Sequence, residues 1–108
     1  MERDKILEAA RACVCGEREA QYGSPKTNFE AIGLLWGVYL NAAHPDYAKY
    51  LPYNGISAED VANMMALLKV ARIATGKAGV DNFVDLAGYA ALAGEIATAT
   101  TPAAPAGG

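Results

Sequence analysis

The sequence has 108 residues, of which 53% are hydrophobic and 19% are charged, and its formal net charge is -3. This length supports one domain with a single core, and the apolar content excludes a wholly disordered chain. The acidic balance argues against a nucleic acid partner, because phosphate contacts need clustered Lys and Arg and the nine basic residues are scattered.

Hydrophobic periodicity predicts a first helix over about residues 2–20. Ala10, Cys13 and Val14 recur at helical spacing, and Glu17 continues the same face. The inward face of this helix is therefore expected to end in a carboxylate.

A second helix is predicted over about residues 25–41, where the motif SPKT offers a serine N-cap followed by proline at the first helical position. Asn28 shares a face with Ile32 and Leu35, so we expect it to point inward. Trp36 flanks that face.

The stretch 42–56 is dense in proline and tyrosine, which predicts a structured loop or one helical turn. The third helix, over 57–75, begins with the capping-box pattern SAED. From Val61 to Ile73 it is apolar nearly all round, so it is expected to be central or to be covered by another subunit.

The fourth helix is predicted over 81–98, with Asp81 as its N-cap. The last stretch, TATTPAAPAGG, lacks apolar side chains that could pack. The expected organisation is a compact all-α domain of four helices over residues 1–97, followed by a flexible Ala/Pro/Gly tail over 98–108.

Polar residues near the helix ends are predicted to form a pocket between helices. Asp85 and Asn82 lie on the inward face of the fourth helix with Tyr89 at its edge, and Asp60 aligns with Met64 on the third. An unpaired buried carboxylate is costly, so these groups are expected to meet a metal, a cation, the donors of a ligand or water at an open mouth of the pocket.

Lys69 and Arg72 lie three residues apart on the otherwise apolar third helix. Two interpretations stay open: they pair with carboxylates of a neighbouring helix or subunit, or they bind a phosphate group of a ligand. The aromatic residues Phe29, Trp36 and Tyr39 belong either to the core or to a surface on which a base stacks.

The sequence also predicts where the protein resides. The N-terminus MERDK is charged from its second residue, unlike a signal peptide, and no apolar run approaches the roughly 20 residues of a membrane span. Cys13 and Cys15 do not form a C-x-x-C motif and are expected to be free thiols. We therefore expect a cytoplasmic protein with no membrane partner.

Three blocks carry a resemblance to a known family. YGSPKTNFEAIGLLW (22–36), DVANMMALLKVAR (60–72) and DNFVDLAGYAAL (81–92), in this order, resemble small helical proteins of phages and prophages whose function is largely uncharacterised. The resemblance implies a phage origin, a host-cytoplasmic location and an all-α fold. It supplies no catalytic residues.

A second resemblance is to the MazG-like all-α nucleoside triphosphate pyrophosphohydrolases, which hold Mg²⁺ with an E-x-x-E and an E-x-x-D motif. Asn82 to Asp85, NFVD, has the spacing of the second motif with an amide in place of its first carboxylate. The first motif is missing from the stretch 17–30.

These patterns favour a phage-type homo-oligomer that binds and sequesters a nucleotide-derived small molecule, such as a host immune signal, without chemistry or a cofactor. Its predicted ligand-binding residues are Tyr22, Asn28, Trp36, Lys69, Arg72, Asn82, Asp85 and Tyr89. One alternative is a Mg²⁺-dependent pyrophosphohydrolase with Glu17, Asp60 and Asp85 as metal ligands. The other is a protein-interaction module that inhibits a host enzyme.

Overall fold

The computed structural model describes residues 1–16, 23–51, 55–77 and 79–99, and within these ranges every regular element is a helix. The helices are α1 (Arg3–Val14), α2 (Pro25–Ala43), α3 (Pro45–Ala48), α4 (Ala58–Thr75) and α5 (Val80–Thr98). The predicted all-α fold is confirmed, and the four longer helices match the four that periodicity predicts.

The first helix ends earlier than its periodicity predicts. Cys15 has extended backbone and Gly16 has a φ of 71°, in the left-handed region that stops a helix. The predicted continuation of the helix through residues 15 and 16 is therefore wrong. Residues 17–20 lie outside the described ranges.

The stretch 42–56, predicted to be a structured loop or one helical turn, contains one helical turn. The second helix, α2, continues to Ala43, and the single turn α3 begins directly after His44 at Pro45, where a helix tolerates proline. Residues 52–54 of this stretch lie outside the described ranges, as do residues 100–108 of the predicted tail.

Two of the predicted helix starts have their expected caps. Ser24 is the N-cap residue of α2 with Pro25 behind it, although the Ser24 side chain makes no capping hydrogen bond. At the start of α4, the Asp60 backbone N–H donates to the Ser57 hydroxyl at 3.1 Å.

The start of α5 differs from the prediction by one residue. Its N-cap is Gly79, whose backbone is extended and whose carbonyl accepts a hydrogen bond from the Asn82 N–H at 3.2 Å. Asp81 is therefore not the N-cap but lies in the first turn, where its carboxylate still faces the positive end of the helix dipole.

The core lies where the first half of α4 meets α2 and the second half of α5. Helix α5 packs against α1 on one side and α4 on another, and α4 also packs against α2. Val61 and Ala62 of α4 are fully buried. The other members of this buried cluster are Phe29, Ala58 and Ala93.

Backbone contacts between glycines join α2 to the segment that precedes α4. The Ile56 N–H donates to the Gly33 carbonyl at 3.2 Å, outside any helix. A Cβ atom on Gly33 would overlap the Ile56 carbonyl, and one on Gly37 would lie 2.7 Å from the Gly55 Cα. Only residues without side chains allow this approach.

Helix α4 is central on one side only. Val61 and Ala62 are fully buried, whereas Met64, Leu67 and Leu68 are 41%, 65% and 42% exposed. Within the described ranges, the helices are too short or too polar to cross a membrane.

Candidate functional site

An ion pair joins the middle of α4 to the first turns of α5. Lys69 Nζ lies 3.0 Å from Asp85 Oδ2, and the two side chains are 13% and 38% exposed. Lys69 therefore pairs with a carboxylate of a neighbouring helix, which is the first of its two predicted roles. An ammonium group has three N–H donors, so this ion pair leaves Lys69 with further capacity to donate.

Asp85 also lines a small open cavity between α1 and α5. The cavity has a volume of about 120 Å³, and its other lining residues are Cys13, Val14, Gly88, Tyr89 and Leu92. A Cβ atom on Gly88 would lie 3.0 Å from Val14 Cγ1, so the glycine lets α1 approach at this level. The cavity thus combines a carboxylate, a phenol and a thiol on an apolar floor.

Tyr89 connects this cavity to the core. Its ring lies 6.3 Å from the Phe29 ring, centroid to centroid, with an interplanar angle of 45°. Phe29 is buried and Tyr89 is half-buried. The Tyr89 ring is therefore fixed from behind by aromatic packing, while part of it remains open to the cavity.

Arg72 and Asn82 lie one helical turn from the ion pair, toward the short connection between α4 and α5. Three residues along a helix span roughly 4.5 Å, so Lys69, Arg72, Asn82 and Asp85 share one end of this antiparallel helical hairpin. Arg72 is exposed and Asn82 is half-buried. Within the described ranges, Arg72 forms no ion pair.

The predicted ligand-binding residues of α2 lie elsewhere. Trp36 packs against the buried core cluster. Asn28 is exposed, contrary to its predicted inward position, because α2 turns the face of Phe29 and Gly33 toward the core. Tyr22 lies outside the described ranges.

The two predicted metal ligands within the described ranges, Asp60 and Asp85, do not come together. Asp60 is exposed on the outer face of α4, contrary to its predicted inward position, because that helix buries Val61 and Ala62 instead. Nine residues of helix, about 13 Å, separate it from the level of the Lys69–Asp85 pair, whereas two ligands of one Mg²⁺ each lie about 2.1 Å from the ion. Glu17 lies outside the described ranges, within which no cluster of three metal-ligating side chains occurs.

A wider groove, which the sequence analysis did not identify, lies at the start of α4. Its volume is about 790 Å³, and its charged residues are Lys26, Glu30 and Glu59. Its floor includes Ile56, held by the glycine contact with α2. The only sequence signal for it was the spacing of Gly33 and Gly37, which permits the close backbone approach.

Comparison with known proteins gives a family for this chain. The family profile described as "Domain of unknown function (DUF6378)" matches residues 5–97. The Gene 55 protein of Mycobacterium phage D29 is 40% identical over 87 residues, which cover 81% of this chain and 50% of that protein. The Gene 55 protein of Mycobacterium phage L5 is 38% identical over 87 residues, which cover 81% of this chain and 49% of that protein.

The chain therefore spans about half the length of the curated relatives it matches. No solved structure matches it. The resemblance of the three sequence blocks to a phage family agrees with these relatives, whereas none of the matches is to a MazG-like enzyme. The chain belongs to the DUF6378 family and is similar to proteins of two mycobacteriophages.

Proposed function

We propose that this protein binds a nucleotide-derived small molecule at the Lys69–Asp85 end of the α4–α5 hairpin and sequesters it without chemistry. The observation that carries the proposal is a lysine with a 13% exposed side chain, paired with a carboxylate at the edge of an open cavity. Such a pair often contributes no more stability than apolar side chains of similar size, so its presence between two packed helices favours a role in binding.

The chemistry of the site divides between its two charged sides. Lys69 and the exposed Arg72 offer N–H donors to a phosphate group. The Asp85 carboxylate can accept hydrogen bonds from the edge of a base or from ribose hydroxyl groups, and the Asn82 amide can bind the same groups. The side of the Tyr89 ring can contact the ligand. A phosphate would compete with Asp85 for Lys69 and release the carboxylate for the ligand.

The size of the cavity limits how a nucleotide would lie. At about 120 Å³ it is smaller than the roughly 300–1,000 Å³ typical of ligand pockets, so it can hold only part of the molecule. The remainder would lie over the surface that carries Arg72. A ligand with one buried end and one exposed phosphate group fits this arrangement.

The pyrophosphohydrolase alternative has less support. Catalysis through Mg²⁺ needs several carboxylate oxygens around one ion. Asp85 already has a lysine partner, and Asp60 lies about two and a half turns away along α4. Binding without hydrolysis requires no second carboxylate, and the residues around the Lys69–Asp85 pair lie close together.

The first test is retention of ligand by the purified protein. The protein is incubated with a panel of nucleoside triphosphates and cyclic nucleotides, with and without Mg²⁺, and both the supernatant and the heat-released fraction are analysed by chromatography. We expect at least one compound to be depleted and recovered intact. Retention of none would reject the proposal, and Mg²⁺-dependent conversion of a triphosphate would replace it with the hydrolase alternative.

A pair of variants then locates the site. Arg72→Ala removes the guanidinium of an exposed residue, and we expect affinity for the retained compound to fall about 10- to 100-fold. Lys26→Ala is the matched control, because Lys26 lines the wide groove at the other end of α4. A loss of affinity in Lys26→Ala but not in Arg72→Ala would move the site to that groove.

A further inference from the structure

The wide groove at the start of α4 adjoins a second cavity. This cavity has a volume of about 330 Å³ and lies between the later turns of α2, the turn α3 and the segment before α4. Leu34 and Gly55 line both the wide groove and the second cavity. The two therefore meet, and the residues that line either of them are called the α2 groove from here on.

Helix α2 forms one wall along the whole α2 groove. Its lining side chains follow one another at intervals of three or four residues, which places them in a single row on one face of the helix. They are Lys26, Glu30, Leu34, Val38 and Asn41. The helix rises about 22 Å over this row, so an elongated molecule can lie beside it.

The wall is too open to enclose a small molecule. Leu34 and Val38, near the middle of the row, leave 53% and 61% of their surfaces exposed. A small-molecule pocket buries about 70–90% of the surface of its ligand, which half-exposed side chains cannot achieve. An apolar row along a helix is instead the kind of surface on which a polypeptide segment docks.

The charges of the α2 groove are concentrated at one end. Lys26, Glu30 and Glu59 line the end near the start of α2, whereas the residues that line the second cavity are uncharged, and the polar side chain among them is Asn41. Within the described ranges, none of the three charged residues forms an ion pair. Two carboxylates and one ammonium group make this end negative.

Glu59 is the carboxylate that a partner can best neutralise. It lies on α4, across the groove from Lys26, and it is half-buried. If Lys26 paired with Glu30, one turn along the same helix, Glu59 would still have no cation among the described residues. Partial burial reduces solvent screening, so a cationic side chain in the groove is attracted to Glu59 more strongly than to a fully exposed carboxylate.

We propose that the α2 groove binds a segment of another protein, with apolar side chains along Leu34 and Val38 and a lysine or arginine at Glu30 and Glu59. The uncharged end accepts the apolar part, and the negative end sets the direction of the segment. The α2 groove shares no lining residue with the cavity beside Asp85. Protein binding here is therefore independent of the ligand site.

The first experiment selects partners without assuming their sequence. The immobilised full chain is exposed to a ribosome-displayed library of random peptides, each long enough to span the row as a helix of about 15 residues. We expect the enriched peptides to combine regularly spaced apolar residues with a net positive charge. Enrichment of acidic peptides, or of none, would overturn the proposal.

Two neighbouring leucines then locate the contact. Leu34→Gln changes a residue that lines the whole groove, and we expect the affinity for the best enriched peptide, measured by fluorescence anisotropy, to fall about 10-fold or more. Leu35→Gln is the matched control, because Leu35 is 66% exposed on the same helix but lines neither cavity, and its affinity should be unchanged. Val38→Gln repeats the test at a second position. Equal affinities in all three variants would reject the α2 groove as the binding surface.

The carboxylates are tested by charge and by salt. In the double variant Glu30→Gln/Glu59→Gln, we expect about 3- to 10-fold weaker binding at low salt and a smaller loss of affinity as salt is added. Glu8→Gln on α1 is the control, because Glu8 lies outside the groove and is 69% exposed. A double variant that behaves like wild type in both respects would overturn the proposed role of the negative end.

Two other occupants of the α2 groove give different results. If wild type were a dimer by light scattering and Leu34→Gln a monomer, a second copy of the chain would cover the groove and the proposal would be wrong. Retention of dodecylammonium but of no peptide would assign the groove to a small cationic amphiphile. We expect wild type and Leu34→Gln to have the same native mass.

Discussion

The two halves of α4 are held in place by different physical effects. In the first half, Val61 and Ala62 are fully buried, and the segment before the helix lies backbone to backbone against α2. In the second half, the link to α5 includes the ion pair between Lys69 and Asp85, and Leu67 remains mostly exposed on the outer side. One end is closely packed, and the other is polar and open.

The difference indicates where this chain can bind a ligand. The buried core around Val61 and Ala62 tolerates no added atom, and the charged residues near it line the wide groove outside that core. At the open end, an ion pair can exchange one partner for another at modest cost. The candidate site lies at the open end. The closely packed end holds α4 and α5 in the register that brings Lys69 to Asp85.

The largest expected effect comes from a substitution that disrupts the closely packed end of α4. In Gly33→Ala, the new methyl group would overlap the Ile56 carbonyl, and we expect a loss of about 2–3 kcal/mol in the free energy of unfolding by urea titration. Gly94→Ala in α5 is the control, because no atom lies within 4 Å of the added Cβ. It should gain up to about 1 kcal/mol from helix propensity. Equal stability of Gly33→Ala and wild type would show that the backbone contact does not form in solution.

A smaller effect is expected for the ion pair at the open end of α4. A double-mutant cycle with Lys69→Met and Asp85→Leu should give a coupling free energy of about 1–1.5 kcal/mol, because Lys69 is largely buried and Asp85 partly so. The control cycle uses Lys5 and Glu8 of α1, which lie 3.3 Å apart but are 64% and 69% exposed. Solvent screening should keep that coupling below about 0.5 kcal/mol. A coupling no larger at Lys69–Asp85 would mean that the pair contributes little to joining α4 and α5.

The smallest effect compares two helix starts. Ser57→Ala removes the hydroxyl that accepts the Asp60 N–H at 3.1 Å, and we expect a loss of about 1 kcal/mol in thermal or urea unfolding. Ser24 occupies the same position in α2 without a capping hydrogen bond, so Ser24→Ala should cost less than about 0.5 kcal/mol. If the two losses were equal, the closely packed end would not depend on the Ser57 cap.

The helices could be predicted from the sequence because their signals are local. Serine caps and the 3.6-residue apolar period act within one or two turns, and the starts at Pro25 and Ala58 lie within a residue of their predicted positions. The end of α1 was misplaced because the helical spacing of Ala10, Cys13 and Val14 continues to Glu17, beyond Gly16, which adopts a left-handed conformation. A glycine permits that conformation without requiring it.

The candidate site was predictable only in part. Helical spacing identified Asp85, Asn82 and Tyr89 near the ion pair, because one helix carries all three. It could not identify the inward face of α4, since that helix is apolar nearly all round and Asp60 was assigned to the wrong side. Which face of such a helix is buried depends on how α2 and α5 dock, and a local period does not contain that information.

The hydrogen bond from Ile56 to Gly33 has a consequence for the slow opening motions of the protein. An amide in a loop normally exchanges its proton with solvent quickly, because local fraying exposes it. The Ile56 amide can be released only when the loop leaves the surface of α2, and the same displacement removes the residue that precedes the Ser57 cap. We therefore expect its deuterium uptake to be as slow as that of amides in the middle of α2, so that a loop position reports the opening of the helical core.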